Sequence, residues 1–550
     1  MGDQMKSYVH GASSAPLLGE TIGDNFLATA RRLPDHEALV ECATGRRWTY
    51  RELDAWVEEV ARGLVATGVA KGERVGIWSP NNAEWVAIQY ATARIGAILV
   101  TINPAYRTHE LDYVLRQSGI TTLVSALESK ASDYRSMVQQ VAPSITELRR
   151  VLYIADPSWD DMVSAGDRVE AGRIDELAAT TSFDDPINIQ YTSGTTGFPK
   201  GATLSHHNIL NNGYFVGELL DYTEADRVCL PVPFYHCFGM VMGNLGCTTH
   251  GATIVIPAPS FDPAATLTAV AGERCTSLYG VPTMFIAELG SNGFADHDLS
   301  SLRTGIMAGS PCPVEVMKRV IAEMHMDGVA ICYGMTETSP VSTQTRPDDD
   351  VERRTATVGR VMPHLEIKVI DPATGSVVER GEPGELCTRG YSVMLGYWEQ
   401  ADQTAEAIDA GRWMHTGDLA VMGPDGYLNI VGRIKDLVIR GGENIYPREI
   451  EEFLYQHPDI EDVQVVGVPD ERYGEELMAW VRMKPGREKL DAESLRRYSE
   501  GHIAHHKIPR YVRVVDEFPM TVTGKVRKVE MRQISIDELG LAGAAGVATA

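Results

Sequence analysis

The feature that most constrains the fold is a strand, helix, strand pattern near the start of the chain. A short apolar run at Val75–Trp78 ends before Pro80, apolar residues at helical spacing follow over Ala83–Ile95, and a second apolar run spans Ala97–Ile102. Two parallel strands joined by a crossover helix belong to a sheet whose faces are covered by helices. The pattern therefore predicts an α/β protein with parallel or mixed sheets inside layers of helices.

A second local signal stands just before this unit. Thr49 and Glu52 form a capping-box pattern, in which each side chain can satisfy a backbone N–H group at the start of a helix. Apolar residues then recur at helical spacing as far as Val65. An amphipathic helix is predicted here.

The chain of 550 residues is too long for one compact core, so several domain-sized units are expected. From Gly432 the pattern changes, because a short basic segment leads into alternating strand and helix signals. We predict a large N-terminal domain of several subdomains over residues 1–434, a small mobile α+β domain over 435–539 and a disordered Gly/Ala-rich tail over 540–550. The elements predicted in the small domain are helices at Glu449–Gln456 and Ala492–Tyr498, and strands at Val463–Val468, Met478–Met483 and Tyr511–Val515.

Charge and cysteine usage exclude some classes of protein. The formal net charge of −25 opposes nucleic acid or an anionic membrane at a general surface, so an anionic ligand would need a locally basic pocket. The eight cysteines form no CxxC pair, which argues against a zinc site and a disulfide framework and favours a reducing compartment. No secretory signal is evident, and the longest apolar stretch, Val228–Gly243, is interrupted by prolines. We expect a soluble cytoplasmic protein without an integral membrane segment or a nucleic acid partner.

A polyphosphate-binding loop is predicted at Tyr191–Gly201, with the sequence YTSGTTGFPKG, after an apparent strand at Ile187–Gln190. Gly194 and Gly197 let the backbone bend so that amide N–H groups converge on an anion, and Lys200 adds positive charge. Further hydroxyl donors come from Thr192, Ser193, Thr195 and Thr196. Fixed donors of this kind suit phosphate oxygens, which accept many hydrogen bonds.

This loop is not a Walker loop. Pro199 stands where the second glycine of that motif would be, and no Ser or Thr follows Lys200. Taken in isolation, a flexible polar surface turn would have a similar sequence.

Eight motifs, in the same order along the chain, resemble the signatures of the adenylate-forming superfamily, which includes acyl-CoA synthetases, firefly luciferase and the adenylation domains of peptide synthetases. After the loop above they are PFYHCFG (233–239), AGSP (308–311), YGMTET (333–338), TGD (416–418), GRIKD (432–436), RGGENIYP (440–447) and TGKVRK (523–528). The resemblance covers almost the whole chain. It implies that Mg-ATP and a carboxylic acid form an acyl-adenylate and pyrophosphate, after which the acyl group passes to coenzyme A.

The resemblance also implies roles for individual residues. The catalytic group would comprise Lys525, Glu337 and Thr336. ATP would contact Thr192, Ser193, Gly194, Thr195, Thr196, Gly197, Lys200, Gly309, Ser310, Tyr333, Gly334, Asp418 and Arg433. Magnesium would be held by Glu337 and Thr195. The acyl and CoA groups would contact His236, Tyr279, Gly280, Arg440, Gly441 and Gly442, and Lys435 would be the hinge of the small domain.

Plainer interpretations stand beside these roles. Asp418 and Arg433 could be only an exposed ion pair, Glu337 a solvated loop carboxylate, and the adenine-slot residues ordinary turns. Lysine is by default a solvated surface residue, which applies to Lys525 and to Lys435 as a linker residue. For His236, packing is favoured over proton transfer. The stretch YGVPTMF at 279–285 resembles the wall of the acyl pocket, although an ordinary strand and turn would have a similar sequence.

Other functions also stay open on the sequence alone. The acyl acceptor could be a carrier-protein thiol, the adenylate could feed a luciferase-like oxidation, or the chain could be a nucleotide-binding scaffold without catalysis. The motifs YHCFG, RGYSVMLGYW and RGGENIYP are most similar to the medium-chain fatty acyl-CoA synthetase branch. Pocket depth, which sets acyl chain length, and oligomeric state, a homodimer included, do not follow from the sequence.

Overall fold

The protein is described by a computed structural model over residues 5–129, 132–192, 199–310, 312–441, 443–520 and 526–541. Its internal contacts divide the chain into two compact units. The larger unit comprises Tyr8–Ile367 and Cys387–His415, and the smaller comprises Met1–Ser7, Lys368–Leu386 and Thr416–Ala550. Residues 416–434, assigned to the large domain from the sequence, therefore group with the C-terminal unit. A pivot between 434 and 435 stays a prediction.

The α-helices vary from short single turns to the 17-residue helix predicted after the capping box. They are α1 (Ile22–Arg32), α2 (Tyr50–Ala66), α3 (Ala83–Ile95), α4 (Thr108–Ser118), α5 (Tyr134–Val141), α6 (Pro157–Ala165), α7 (Arg173–Ala179), α8 (His206–Glu218), α9 (Gly246–His250), α10 (Pro263–Glu273), α11 (Pro282–Leu289), α12 (Val314–Met324), α13 (Val351–Ala356), α14 (Ala401–Ala407), α15 (Pro447–Leu454), α16 (Ala492–Ser499) and α17 (Lys528–Leu539). A π-helix spans Phe238–Leu245, and short 3₁₀ turns include Thr336–Thr338 and Ile434–Asp436.

The strands are mostly short and belong to several sheets. They are β1 (Tyr8–His10), β2 (Glu37–Glu41), β3 (Arg46–Thr49), β4 (Arg74–Trp78), β5 (Ile98–Thr101), β6 (Ile120–Ser125), β7 (Glu128–Ser129), β8 (Ser132–Asp133), β9 (Arg150–Tyr153), β10 (Pro186–Thr192), β11 (Lys200–Ser205), β12 (Arg227–Cys229), β13 (Thr253–Ile256), β14 (Ser277–Gly280), β15 (Thr304–Ala308), β16 (Gly328–Gly334), β17 (Val341–Gln344), β18 (Arg360–Val361), β19 (Leu365–Ile370), β20 (Pro383–Gly390), β21 (Gly396–Tyr397), β22 (Met414–Met422), β23 (Leu428–Arg433), β24 (Val438–Arg440), β25 (Glu443–Ile445), β26 (Ile460–Asp470), β27 (Gly474–Met483) and β28 (Tyr511–Val514).

Two sheets of the larger unit position the site. One has seven strands in the order β21-β11-β10-β5-β4-β6-β9, and the other has nine in the order β18-β17-β16-β15-β14-β12-β13-β2-β3. The predicted strand, helix, strand unit is confirmed, since β4 and β5 are parallel neighbours joined by α3. Every residue of α3 except Glu84 is buried, as expected for a helix that is apolar on nearly all sides.

The smaller unit contains the α+β domain predicted from the sequence. Strands β25, β24, β27 and β26 are neighbours in that order, and β28 pairs in parallel with β27. All five elements predicted here are present with shifted ends: α15, α16, β26, β27 and β28. A second sheet has five strands in the order β1-β19-β20-β22-β23, and β19, β20 and β22 each have one end within the residues of the larger unit. None of the described helices is both long enough and apolar enough to cross a membrane.

Candidate functional site

The predicted polyphosphate loop is closed by a strand pair. Strand β10 runs parallel to β5 and antiparallel to β11, and its register joins Thr192 directly to Lys200. The hydrogen bonds of three strands therefore fix the two ends of the loop. The predicted ligands Ser193, Gly194, Thr195, Thr196 and Gly197 lie outside the described residues.

Glu337 lies beside this strand pair. The Thr192 hydroxyl donates to Glu337 Oε1 at 3.3 Å, and the Tyr397 hydroxyl donates to the same oxygen at 2.9 Å. Glu337 is only 5% exposed, so it is not a solvated loop carboxylate, and its neighbour Thr336 is also buried. Neutral hydroxyls only partly offset the cost of burying a negative charge. A hard carboxylate oxygen of this kind fits a magnesium ion, which Glu337 would hold.

Three neighbouring residues were not predicted from the sequence. Burial raises the pKa of the Cys237 thiol, and the charge of Glu337 raises it further, so Cys237 is a neutral thiol here. Its sulfur donates to Gln190 Oε1 at 3.0 Å. Burial, followed by the Glu337 carboxylate, also raises the pKa of Tyr397, which keeps its hydroxyl a donor. A pattern search could not pair Tyr397 with Glu337, because sixty positions separate them.

The predicted adenine-slot residues meet at one sheet edge. Strands β14, β15 and β16 are parallel neighbours, so their carboxyl ends lie side by side. These ends present Gly280, then Gly309 with Ser310, then Tyr333 with Gly334. Gly309 has φ +92°, and a Cβ at Gly334 would stand 1.8 Å from the Pro340 carbonyl oxygen. Gly309 and Gly334 are exposed whereas Gly280 is buried, and exposed glycine backbone at the carboxyl ends of parallel strands is a typical ligand-binding position.

Tyr279 is a packing residue rather than an exposed wall of a pocket. It is fully buried, donates its hydroxyl to the Met242 carbonyl oxygen at 3.2 Å and accepts from the Tyr222 hydroxyl at 3.1 Å. Its ring stacks on Phe238 with 5.6 Å between centroids. It therefore ties β14 to the π-helix. The stretch after Gly280 is a helix rather than an ordinary turn. Helix α11 begins at Pro282, and proline is tolerated at the first position of a helix.

His236 is half-buried just before the π-helix. Its Nδ1 accepts from the Phe238 N–H at 3.2 Å, and its own carbonyl accepts from Gly239 and Met240. A ring nitrogen used in a local turn favours the structural role over proton transfer.

In the smaller unit, Asp418 and Arg433 are directly opposed in the β22–β23 register. Arg433 Nε donates to Asp418 Oδ1 at 2.8 Å, with side-chain exposures of 66% and 8% respectively. The turn before Asp418 is fixed, since Thr416 Oγ1 accepts from the Asp418 N–H at 3.1 Å and Glu385 accepts from the Gly417 N–H at 3.2 Å. The pair is therefore asymmetric, a buried carboxylate with a mostly exposed guanidinium.

Arg440 serves the fold of the smaller unit. Its Nη2 donates to the buried Glu476 at 2.8 Å, its Nη1 donates to the His506 carbonyl at 3.2 Å, and its guanidinium lies 4.9 Å from the Tyr473 ring centroid. Gly441 follows with φ +62° and donates its N–H to the Tyr473 carbonyl at 2.7 Å. Arg440 thus anchors the glycine turn. Gly442 lies outside the described residues.

The remaining predicted residues concern the hinge and the catalytic lysine. Lys435 is exposed in the 3₁₀ turn Ile434–Asp436. Lys525 lies outside the described residues, but the residues on either side of 521–525 are placed. Met520 and Val526 form an antiparallel bridge, and Arg527 donates its N–H to the Pro519 carbonyl at 2.8 Å.

An ion pair follows this bridge. Lys528, the first residue of α17, places Nζ 2.5 Å from Glu451 Oε1 and 3.2 Å from the Val465 carbonyl oxygen. Glu451 Oε1 also accepts from the Val465 N–H at 2.7 Å. A lysine is unfavourable at the positive end of a helix, so the buried Glu451 provides a specific reason for its position.

Family models match both parts of the chain. Residues 26–398 match the AMP-binding enzyme model, and residues 449–525 match the AMP-binding enzyme C-terminal domain. The chain belongs to the AMP-binding enzyme family. The eight motifs predicted this family, and the α/β fold and small C-terminal domain predicted from the strand and helix patterns are those of its members.

Relatives extend over nearly the full length. YngI of Bacillus subtilis (strain 168), provisionally named an acyl-CoA synthetase, is 48% identical, with 96% of this chain and 99% of the relative covered. The mitochondrial medium-chain acyl-CoA ligase ACSF2 of Danio rerio is 46% identical, covering 97% and 91%. Among solved structures, the anthranilate CoA ligase AuaEII with anthranoyl-AMP has a TM-score of 0.85 at 26% identity, covering 96% and 99%.

Proposed function

We propose that this member of the AMP-binding enzyme family is an AMP-forming acyl-CoA ligase. A carboxylic acid is activated by ATP to an acyl-adenylate with release of pyrophosphate. The thiol of coenzyme A then takes the acyl group and AMP leaves. Dividing the reaction into two steps gives the acyl group a good leaving group, AMP, before the thiol attacks.

One observation carries the proposal. The buried carboxylate of Glu337 lies against the paired ends of the polyphosphate loop, three residues beyond the glycine end of β16. The proposed metal ligand Glu337, the ends of the predicted phosphate loop and the glycines at the carboxyl ends of β15 and β16, proposed to receive the adenine, all belong to the larger unit. Nucleotide activation is the chemistry that needs all three.

In the first half-reaction, two anions must meet at the α-phosphate. The Lys525 ammonium would counter the charge that develops there, and its effect would be larger where water is excluded. Thr192 and Lys200 would orient the phosphates, and Asp418 would accept hydrogen bonds from the ribose hydroxyls. When bound, magnesium would neutralise phosphate charge, with Glu337 as its protein ligand and Thr195 as a further candidate.

In the second half-reaction, the C-terminal domain that follows Lys435 would turn about this residue and withdraw Lys525. Gly441 and Gly442 would then lie near the pantetheine arm, where the absence of side chains leaves room. Arg440 supports this assignment indirectly, because it anchors the turn that carries Gly441. His236 and the residues after Gly280 would border the acyl group.

The acid is proposed to be a medium-chain fatty acid, which makes this an enzyme of lipid metabolism. Support comes from the motif resemblance and from the names of the vertebrate relatives, which act on medium-chain substrates. A cytoplasmic location is also proposed, although those relatives are named mitochondrial. Cell fractionation tests the location, and light scattering of the purified protein tests whether it is a homodimer.

AMP release tests the function. The purified protein is incubated with Mg-ATP and a panel of acids from acetate to long-chain and aromatic, with and without coenzyme A and without any carrier protein. We expect AMP and a thioester only when both acid and coenzyme A are present, with the highest kcat/KM for medium-chain acids. Intact ATP with every acid would overturn the proposal, whereas acyl-AMP without thioester would redirect it to another acceptor.

A further inference from the structure

Tyr397 is held firmly beside the polyphosphate loop, although none of the predicted roles includes it. Its strand β21 pairs antiparallel with β11, in the register Ala202 to Tyr397. The Tyr397 N–H donates to Thr404 Oγ1 at 2.9 Å, and the next N–H, of Trp398, donates to the Gly201 carbonyl at 2.7 Å. The backbone of Tyr397 is thus fixed by the strand that begins at Lys200.

The hydroxyl of Tyr397 makes the shorter of two hydrogen bonds to Glu337 Oε1, 2.9 Å against 3.3 Å from Thr192. A hydrogen bond to a charged acceptor in a buried position is stronger than one between neutral groups. Because both hydroxyls use the same carboxylate oxygen, they fix the rotation of the carboxylate group. The Glu337 side chain is therefore oriented before any cation binds.

The ring of Tyr397 has a second contact. Lys200 Nζ lies 5.0 Å from the ring centroid, within the range of a cation–π interaction. Lysine has a long, flexible side chain, so an aromatic face restricts where its ammonium can be. One side chain thus touches both the metal-binding carboxylate and the phosphate-binding ammonium proposed above.

We propose that Tyr397 is a positioning residue of the nucleotide site, with two separable roles. Its hydroxyl orients the Glu337 carboxylate for magnesium, and its ring holds the Lys200 ammonium for the phosphates. This inference rests on the proposed function, since it takes Glu337 and Lys200 as ligands of Mg-ATP. It acts through those residues and assigns Tyr397 no contact with the reacting atoms.

Two substitutions in the full-length protein separate the two roles. Tyr397→Phe removes the hydroxyl and keeps the ring, whereas Tyr397→Leu removes both. Tyr153→Phe is the matched control, because Tyr153 lies on β9 at the opposite end of the same seven-stranded sheet, and its ring has its own cation–π contact, 4.7 Å from the Arg135 guanidinium carbon. ATP binding is measured by calorimetry in EDTA and across a magnesium titration, and Mn²⁺ binding in the presence of ATP is followed by the free-ion EPR signal.

For Tyr397→Phe we expect metal-free ATP affinity within about twofold of the wild type, and a free magnesium or manganese requirement raised about tenfold. For Tyr397→Leu we expect metal-free ATP affinity to fall by a further factor of about three. Tyr153→Phe should match the wild type in both measurements.

Three results would overturn the inference. They are an unchanged or lowered metal requirement in Tyr397→Phe, an equal rise in Tyr153→Phe, and identical metal-free affinities in Tyr397→Phe and Tyr397→Leu. Failure of the proposed function would be a different result. A wild-type protein that binds Mg-ATP but activates no acid would contradict that function, and the binding measurements would still test the role of Tyr397.

Discussion

Residues 193–198 and 521–525 are flanked by very different structures, although both are expected to meet the phosphates of ATP. The first segment joins β10 to β11, whose pairing continues from Thr192 and Lys200 to the far end of both strands. The second follows Met520, which is 40% exposed and whose partner Val526 forms only an isolated bridge. Sheet hydrogen bonds fix the residues on both sides of the first segment, whereas the residues on both sides of the second are joined by one isolated bridge and by the Arg527 N–H, which donates to the Pro519 carbonyl.

From this difference we expect the first region to act in both half-reactions and the second in adenylation alone. A group needed in both half-reactions benefits from a rigid position in the sheet. A group needed only in the first can be carried by a smaller element that moves as a whole. Changes near 193–198 should therefore affect every nucleotide-dependent step, and changes near 521–525 should affect adenylation selectively.

The largest expected effect is that of Lys525→Ala. Loss of the ammonium should lower carboxylate-dependent pyrophosphate exchange by about a hundredfold or more, while supplied acyl-AMP is still converted by coenzyme A. Both rates are measured on one preparation, with the exposed Lys489→Ala as the surface control. Equal loss of both half-reactions would remove the proposed distinction between the two regions.

Glu337→Gln tests the rigid region. A neutral amide is a poor magnesium ligand, so we expect adenylation to fall by about ten- to a hundredfold and Mg-ATP to lose most of its effect on Tm. The Tm without ligand should not fall, because a buried charge has been removed. Glu315→Gln is the control, because Glu315 is an exposed side chain on α12 of the same unit. Normal Mg-ATP stabilisation in Glu337→Gln would exclude it as the metal ligand.

Lys528→Met tests what holds α17, the helix that follows residues 521–525. Removing one partner of a buried pair leaves Glu451 unpaired, at a cost of about 3 kcal/mol. Amides of β26 and β27 should then exchange up to about a hundredfold faster with deuterium, read by mass spectrometry.

Two further variants interpret that result. Arg532 is also on α17 and forms a more exposed ion pair with Glu475 of β27. Arg532→Met should therefore lower the free energy of unfolding by about 1 kcal/mol or less. Adding Glu451→Gln to Lys528→Met should restore most of the protection. Equal exchange in the Lys528 and Arg532 variants would show that the Glu451 pair has no special part in holding α17.

The smallest expected difference is in the ATP affinities of Asp418→Asn and Arg433→Met. If Asp418 binds the ribose, its substitution should weaken ATP binding about tenfold. Arg433 is mostly exposed, so if its whole role is the ion pair, its loss should change the affinity by less than about threefold, and a larger loss would support the predicted ATP contact. Calorimetric titration measures both.

The sequence predicted elements whose signals are local. The capping box of Thr49 and Glu52 is present at the start of α2, and α3 spans the predicted Ala83–Ile95. Helix α17 was missed, since its interior contacts are limited to residues such as Met531 and Ser535 and leave no clear apolar stripe. The π-helix was missed because its hydrogen-bonding period has no familiar sequence signature.

The site was predictable only as a set of motifs. Strand order brings Gly280, Gly309 and Gly334 to one edge, and that order depends on long-range pairing. The contact of Tyr397 with Glu337 likewise joins residues far apart in sequence. For Arg440 the motif suggested a ligand, and the structure adds a hydrogen bond from its side chain to Glu476. Its predicted CoA role stays a prediction.

The π-helix at Phe238–Leu245 gives the part of the larger unit that packs against Tyr279 an unusual route to change. Wide turns contain one more residue than an α-helical turn would, so deleting a single residue could convert the segment to regular helix. Each residue beyond the deletion would rotate by about 100° relative to its neighbours before it. A relative could thereby present different side chains to Tyr279 while both ends stay attached, and remodel a cavity by shortening the backbone instead of exchanging bulky residues.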